Sequence, residues 1–228
     1  LLRLRLRSSS QEKLPPPSIP RANAAQKLRL LIRRNARLLW REKTAFSMLA
    51  IPLLIALIDF VLASILRTQP ESAPIVFGLL VFLVLLTSAS LVQNEISKET
   101  LVYRYENRTN TLLLPYTLSK VWLVGILAIY QALVWTIIQF LATGMAAGPP
   151  TLIPYALALF LVAFTGGILG LIVSALSNKA TTKTNWLLLL TVPQLILSGV
   201  MIPAENLGFP LNILAGMNPS RYGLDALL

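Results

Sequence analysis

The residues able to do chemistry are few, and most lie in one stretch. Between Glu95 and Lys120 the chain carries Glu95, Lys98, Glu99, Arg104, Glu106, Arg108 and Lys120, with Tyr103, Tyr105 and Tyr116 among them. Charges of both signs beside large aromatic side chains suit gripping a partner. Charged groups give strong, directional hydrogen bonds, and aromatic rings give stiff contact area. An amphipathic loop that only steadies helix ends would use the same residue types, and both readings stand at this point. Three more polar residues, Asp59, Gln131 and Gln139, sit inside apolar runs. A carboxylate in such a run is costly and tends to face a cavity or a helix partner. Asp59 is therefore a candidate for a polar contact on a substrate path or for an interhelix packing contact. The amides are candidates for bonds across helices.

Catalysis is not expected of this segment. The sequence has no cysteine and no histidine, so disulfides, thiolate sites, the commonest metal ligand and the commonest general base are all absent. No nucleophile system can be completed from its Ser and Asp residues without a base, and a paired-carboxylate enzyme would need a partner for Asp59 inside a span. There is no G-x-x-x-x-G-K-[ST] loop to cradle phosphates.

The elements that must position these residues are helices in a membrane. Of 228 residues, 55% are hydrophobic and only 13% charged, against about 25% charged in a typical soluble domain. Apolar runs near the spanning length of ~20 residues recur, so the expected class is an all-α polytopic membrane protein. The net charge of +11 would suggest nucleic acid in a soluble protein. Here it is assigned to span flanks, with no nucleic-acid partner.

Residues 1–24 read as a basic and Ser/Pro-rich linker. LLRLRLR alternates like a strand, and SSSQEKLPPPSIP follows it. Leu1 in place of an initiating methionine, and an end at Leu228 inside an apolar pattern, suggest a piece of a longer protein. Residues 25–228 form the membrane domain. Ala25 to Lys43 fits an amphipathic interfacial helix. Leu28, Leu31, Ile32, Asn35, Ala36, Leu38 and Leu39 share one arc, and Lys27, Arg29, Arg33, Arg34, Arg37 and Arg41 the other. A basic face opposite an aliphatic one suits anionic lipid; a plain surface helix is the alternative. Five spans are expected at about 46–66, 74–92, 121–141, 152–176 and 185–202, with Pro52 and Pro193 as possible bends. Gly166 and Gly170 in the fourth form a GxxxG pair, a spacing that lets two helices approach closely. Pro203 to Leu228 is too broken for one span and suggests short outer re-entrant helices.

Charge sets the orientation. If residues 1–43 are cytoplasmic, the 95–120 stretch and the 177–184 loop share that side, and 18 of the 20 Lys and Arg residues lie there. Such a bias is the positive-inside signature. A multi-pass protein with a cytoplasmic N-terminal side, in the plasma (inner) membrane, is the expectation.

With these motifs in view, the layout resembles the membrane domain of ATP-binding-cassette exporters of the G subfamily (White type), within the type-2 permease superfamily. The resemblance rests on NEISKETLVYRYENRTNTLLLPYTLSKVW, on GGILGLIVSALSNKATTKTN, on LLLLTVPQLILSGVMIPAENL and on NPSRYGLDALL, and covers about Gln26 to Leu228. The chain departs from the family pattern in lacking a sixth span and the nucleotide-binding domain that precedes the membrane domain.

The resemblance implies a permease that moves a lipid-like or hydrophobic substrate and works as a dimer. It implies a partner nucleotide-binding domain, in the same chain or a separate subunit, which would hold ATP and Mg. It also implies a coupling helix within 95–114, with Glu95, Lys98, Glu99, Arg104, Glu106 and Arg108 as the coupling residues. Two other classes stay open: a non-transporting membrane anchor or scaffold for a soluble N-terminal domain, and an ion-coupled secondary transporter using Asp59.

Overall fold

The computed structural model describes residues 26, 29–34, 44–66, 73–98, 113–143, 152–177, 179–198, 208–209 and 211–227. The 1–24 linker and most of the 95–114 coupling residues lie outside this set. The described residues are helical, with no strand among them. Residues 29–34 are helical, with Arg29, Leu30 and Arg33 exposed and Leu31 and Ile32 half-buried. The main elements are α1 (Thr44–Leu66), α2 (Ala73–Val92), α3 (Glu95–Lys98) and α4 (Leu113–Thr143). They are followed by α5 (Leu152–Leu176), α6 (Ala180–Ile196), α7 (Leu211–Gly216) and α8 (Pro219–Asp225).

Four described helices are long and apolar enough to cross a membrane: 46–65, 74–97, 115–142 and 152–176. Helices of this composition close every backbone hydrogen bond internally, which lipid requires. They also present large apolar side chains outward, such as Leu54, Ile58 and Ile65 on α1 and Ile126, Leu133 and Ile137 on α4. The protein is a multi-pass integral membrane protein. α1 runs unbroken through Pro52, and α6 through Pro193.

Two boundaries differ from the sequence expectation. α4 begins at Leu113, before the expected Val121, and α6 begins at Ala180, inside the expected 177–184 loop. The cause is the same in both places. Polar residues in these first turns find partners inside the bundle, so the helix keeps going where polarity alone suggests a loop. The expected fifth span, 185–202, overlaps the 17-residue α6, and residues 199–202 lie outside the described set.

Depth markers fix the directions of the helices. Met48, Val92, Leu123, Val124, Leu127 and Leu171 form one buried cluster. Ala63, Val76 and Ala142 form another. The first joins the start of α1 and α4 to the end of α2 and α5, and the second joins the end of α1 and α4 to the start of α2. α1 and α4 therefore run one way and α2 and α5 the other. The turn after α2 and the turn after α5 lie at the same end of the bundle.

α2 and α5 make the most extensive helix pair, and glycine is the reason. A Cβ at Gly166 would stand 2.5 Å from the carbonyl oxygen of Leu85, and one at Gly170 would meet the carbonyl of Ala89. Gly223 of α8 has no room for one either, being pressed against Val162 of α5 and Val81 of α2. The steps 81–85–89 and 162–166–170 match turn for turn, as parallel helices require. Ser88 adds a 2.5 Å hydrogen bond from its hydroxyl to the carbonyl of Ala163. The GxxxG spacing thus brings two backbones together.

α8 is pinned as well as packed. Asn218 caps it by accepting from the Ser220 N–H at 3.0 Å, with Pro219 at the first helical position. The same side chain donates to the Gln194 carbonyl of α6 at 2.8 Å. Short helices are thus found where the broken 203–228 composition suggested them.

Candidate functional site

At the end of the bundle where α2 and α5 finish, α3 is held by three other helices. Glu95 and Lys120 of α4 form an ion pair at 3.6 Å, with Lys120 only 2% exposed. The ammonium group of Lys120 also stands 5.9 Å from the Tyr116 ring centre, within cation–π range. On the second side, the Ser174 hydroxyl of α5 accepts from the backbone N–H groups of Ile96 at 2.9 Å and Ser97 at 3.2 Å. Both amides belong to the first turn of α3, where helix N–H groups look for acceptors outside their own helix. On the third side, Lys183 of α6 donates to the Asn94 side-chain oxygen at 2.9 Å and to the Ser97 hydroxyl.

Burial makes these contacts count. Exposed ion pairs contribute about 0–1 kcal/mol, whereas removing one partner of a buried pair costs roughly 3–5 kcal/mol, because the other charge is stranded. Glu95, Lys120 and Lys183 are all buried, at 8%, 2% and 4% exposure. α3 therefore cannot move far without pulling on α4, α5 and α6.

Of the predicted coupling residues, Glu95 is turned inward and forms part of this joint. Lys98 ends α3; Glu99, Arg104, Glu106 and Arg108 lie outside the described residues. Sequence reasoning missed Asn94, Ser97, Ser174 and Lys183 as site residues. Lys183 was legible only as a loop charge. Its fourfold spacing to Leu187 and Thr191, all three buried, was the available signal for a buried helix seam.

The intramembrane candidates lie elsewhere. Met48, Pro52, Ala56, Asp59 and Ala63 form the buried seam of α1, and Asp59 is 1% exposed with neither carboxylate oxygen hydrogen-bonded. Gln131 reaches across to α2, its Nε2 donating to the Val84 carbonyl at 3.1 Å, as an intramembrane amide is expected to do. Gln139 is equally buried, two turns further along α4. The structure therefore does not gather Asp59, Gln131 and Gln139 around the α3 joint. A further cross-link, Tyr130 to the Leu49 carbonyl at 2.7 Å, ties α4 to α1.

Among the described residues no three Asp, Glu, His or Cys side chains come together as a metal site. The geometry at α3 is mechanical: a short polar element clamped to three helices, two of which cross the membrane. A search of curated proteins gives no match to the chain. The sequence model of the ABC-2 type transporter family matches residues 26–228, a stretch that takes in every described helix. The protein belongs to the ABC-2 type transporter family, as the membrane-spanning component of an ABC transporter that works with a nucleotide-binding component.

Proposed function

We propose that the chain is the permease of an ATP-driven exporter for a lipid-like or hydrophobic substrate, and that α3 with the residues following it is the joint through which the ATPase moves the membrane helices. The observation that supports the reading is the threefold clamp on α3: Glu95 to Lys120, Ser174 to the α3 amides, and Lys183 to Asn94 and Ser97. A short helix anchored to α4, α5 and α6 passes a displacement to all three. Few charges face the interior of the spans, which suits an apolar or amphipathic substrate better than an ion or sugar.

In this reading the 95–120 stretch and the residues before α1 are cytoplasmic, in the plasma (inner) membrane, and the permease acts as a dimer. ATP and Mg belong to the nucleotide-binding domain, in the same chain or in a separate subunit. Glu99, Arg104, Glu106 and Arg108 supply the outward contacts, while Glu95 holds the joint from within.

The test is reconstitution with the ATPase in liposomes, following flip of a fluorescent lipid alongside ATP hydrolysis. Charge reversal at Glu99 and Arg104 should leave insertion intact and uncouple hydrolysis from lipid movement. Undiminished transport in the double variant would remove the coupling role.

A further inference from the structure

Arg29, Leu30 and Arg33 are the exposed residues of the helical segment 29–34 that precedes α1. With Gln26 and Ile32 they line an open groove of about 800 Å³. Side chains four apart on a helix are neighbours, and like charges there repel. Among the described residues no carboxylate pairs with Arg29 or Arg33. The third arginine, Arg34, is half-buried and already engaged, so it does not share the face. The sequence holds no acidic residue between Glu12 and Glu42, a stretch with eight Lys and Arg residues. The charge on this face therefore has no local counter-charge.

The segment leads into the membrane surface. The first turns of α1 cluster with the last turns of α2 and α5, at the α3 end of the bundle. Phe46, in the first turn of α1, is almost fully exposed, so contact with lipid begins there. Trp122 of α4 and Trp186 of α6 are exposed within a turn of Lys120 and Lys183, the two lysines of the α3 joint. Exposed tryptophans at span ends mark the headgroup level. The headgroup layer is thus at the end of the bundle where the arginine face enters α1. Leu30, beside both arginines, is 65% exposed. A partner that is anionic at one end and hydrocarbon at the other satisfies the cations and the leucine together.

We propose that this groove binds one anionic phospholipid, with its phosphate between Arg29 and Arg33 and the start of its acyl chains over Leu30 and Ile32. The planar guanidinium fork matches phosphate oxygens two at a time, which a lysine does not. Gln26 adds a neutral donor at the rim of the groove. A zwitterionic lipid fits less well, because it carries its own cation into a face that already has two. The lipid is a bound surface lipid and not the transported substrate. The site is independent of the coupling reading and uses none of the α3 residues.

The 228 residues contain no cysteine, so Gln26→Cys gives a unique point for a fluorophore at the groove. The labelled protein is reconstituted in nanodiscs, and quenching is compared for phosphatidylglycerol and phosphatidylcholine carrying a nitroxide near the carbonyl end of one acyl chain. An arginine near an anionic surface contributes about fivefold, so the pair should favour phosphatidylglycerol by roughly 25-fold at low salt, and the preference should fall as salt rises. Arg29→Gln with Arg33→Gln should cut it about tenfold or more. Arg37→Gln with Arg41→Gln removes the same charge elsewhere and should leave most of it. Equal quenching by the two lipids overturns the site. Equal loss in the two double variants also overturns it, because a diffuse basic field then explains the preference. Quenching by neither lipid, including the case in which the ATPase covers the label, assigns the face to a protein partner and overturns it as well.

Discussion

Lys183 on α6 donates a 2.9 Å hydrogen bond to the side chain of Asn94, 89 positions earlier in the chain. That bond joins the turn after α2 to the first turns of α6, and Ser97 accepts from the same ammonium group. A buried lysine with two side-chain acceptors is an anchor. Replacing Lys183 with Met keeps most of the aliphatic stem and removes the donors. Hydrogen bonds to a charged group contribute about 1.5–3 kcal/mol, and a loss in that range is expected in denaturant unfolding. Transport should fall while ATP hydrolysis by the partner continues. A Met variant that transports at the wild-type rate would show that α6 takes no part in the joint.

The ion pair between Glu95 and Lys120 makes a separate prediction. Each neutral variant alone, Glu95→Gln or Lys120→Met, removes one partner of a buried ion pair and should destabilise by roughly 3–5 kcal/mol. The double variant removes both charges together and should be more stable than the sum of the singles implies. A double-mutant cycle is expected to return a coupling of about 1–3 kcal/mol. Additive singles would mean that the two side chains do not depend on each other.

The glycines separate close packing from mere apolar composition. Gly170→Val places a side chain against the Ala89 carbonyl, and Gly166→Val against that of Leu85. Overpacking of this kind costs about 1–3 kcal/mol or more. Gly125 on α4 has nothing within 4 Å of an added Cβ. Gly125→Ala should therefore be neutral, or stabilising by up to about 1 kcal/mol through helix propensity. Melting temperatures of the three variants in one detergent provide the check. Similar values for all three would contradict the tight α2–α5 contact.

This contrast also shows how much was legible in the sequence. Composition and run length were enough for the helical membrane class and for α1, α2 and α5 within a residue or two, because lipid permits few solutions for an apolar 20-mer. The GxxxG spacing indicated a close approach but not its partner: nothing in the pattern singles out Leu85 and Ala89 on α2. The candidate site was legible as a region and not as a constellation. Glu95 and Lys120 were visible as charges of opposite sign, yet their pairing depends on how the start of α3 and the second turn of α4 come together in the bundle. Ser174 and Lys183 read as ordinary span-end polarity. Their roles arise from tertiary contacts 77 to 89 positions apart in sequence, and a local pattern does not encode separations of that kind. Asp59 stood out by type, but its place on the buried seam of α1 with Met48, Pro52, Ala56 and Ala63 emerges only when the helices pack.

Ser174 gives the sharpest local test. One hydroxyl accepts from both Ile96 N–H and Ser97 N–H, the work that an N-terminal cap residue does in a longer helix. Capping by a side-chain oxygen contributes about 0.5–2 kcal/mol, and here the oxygen comes from another helix, so its loss loosens α3 and the α5 contact together. Ser174→Ala leaves no large cavity, because it removes a single atom from a 1% exposed site. Its effect should therefore be confined to the two amides that it serves. Hydrogen exchange at Ile96 and Ser97 is expected to quicken by roughly 2- to 30-fold, as that energy implies, with exchange in the middle of α5 unchanged. Ser174→Thr keeps the acceptor and should hold both amides protected, provided that its extra methyl fits. Unchanged exchange in the Ala variant would show that α3 is held by Glu95 and Lys183 alone. Faster exchange across the whole of α5 would instead mark Ser174 as a general packing residue of the bundle.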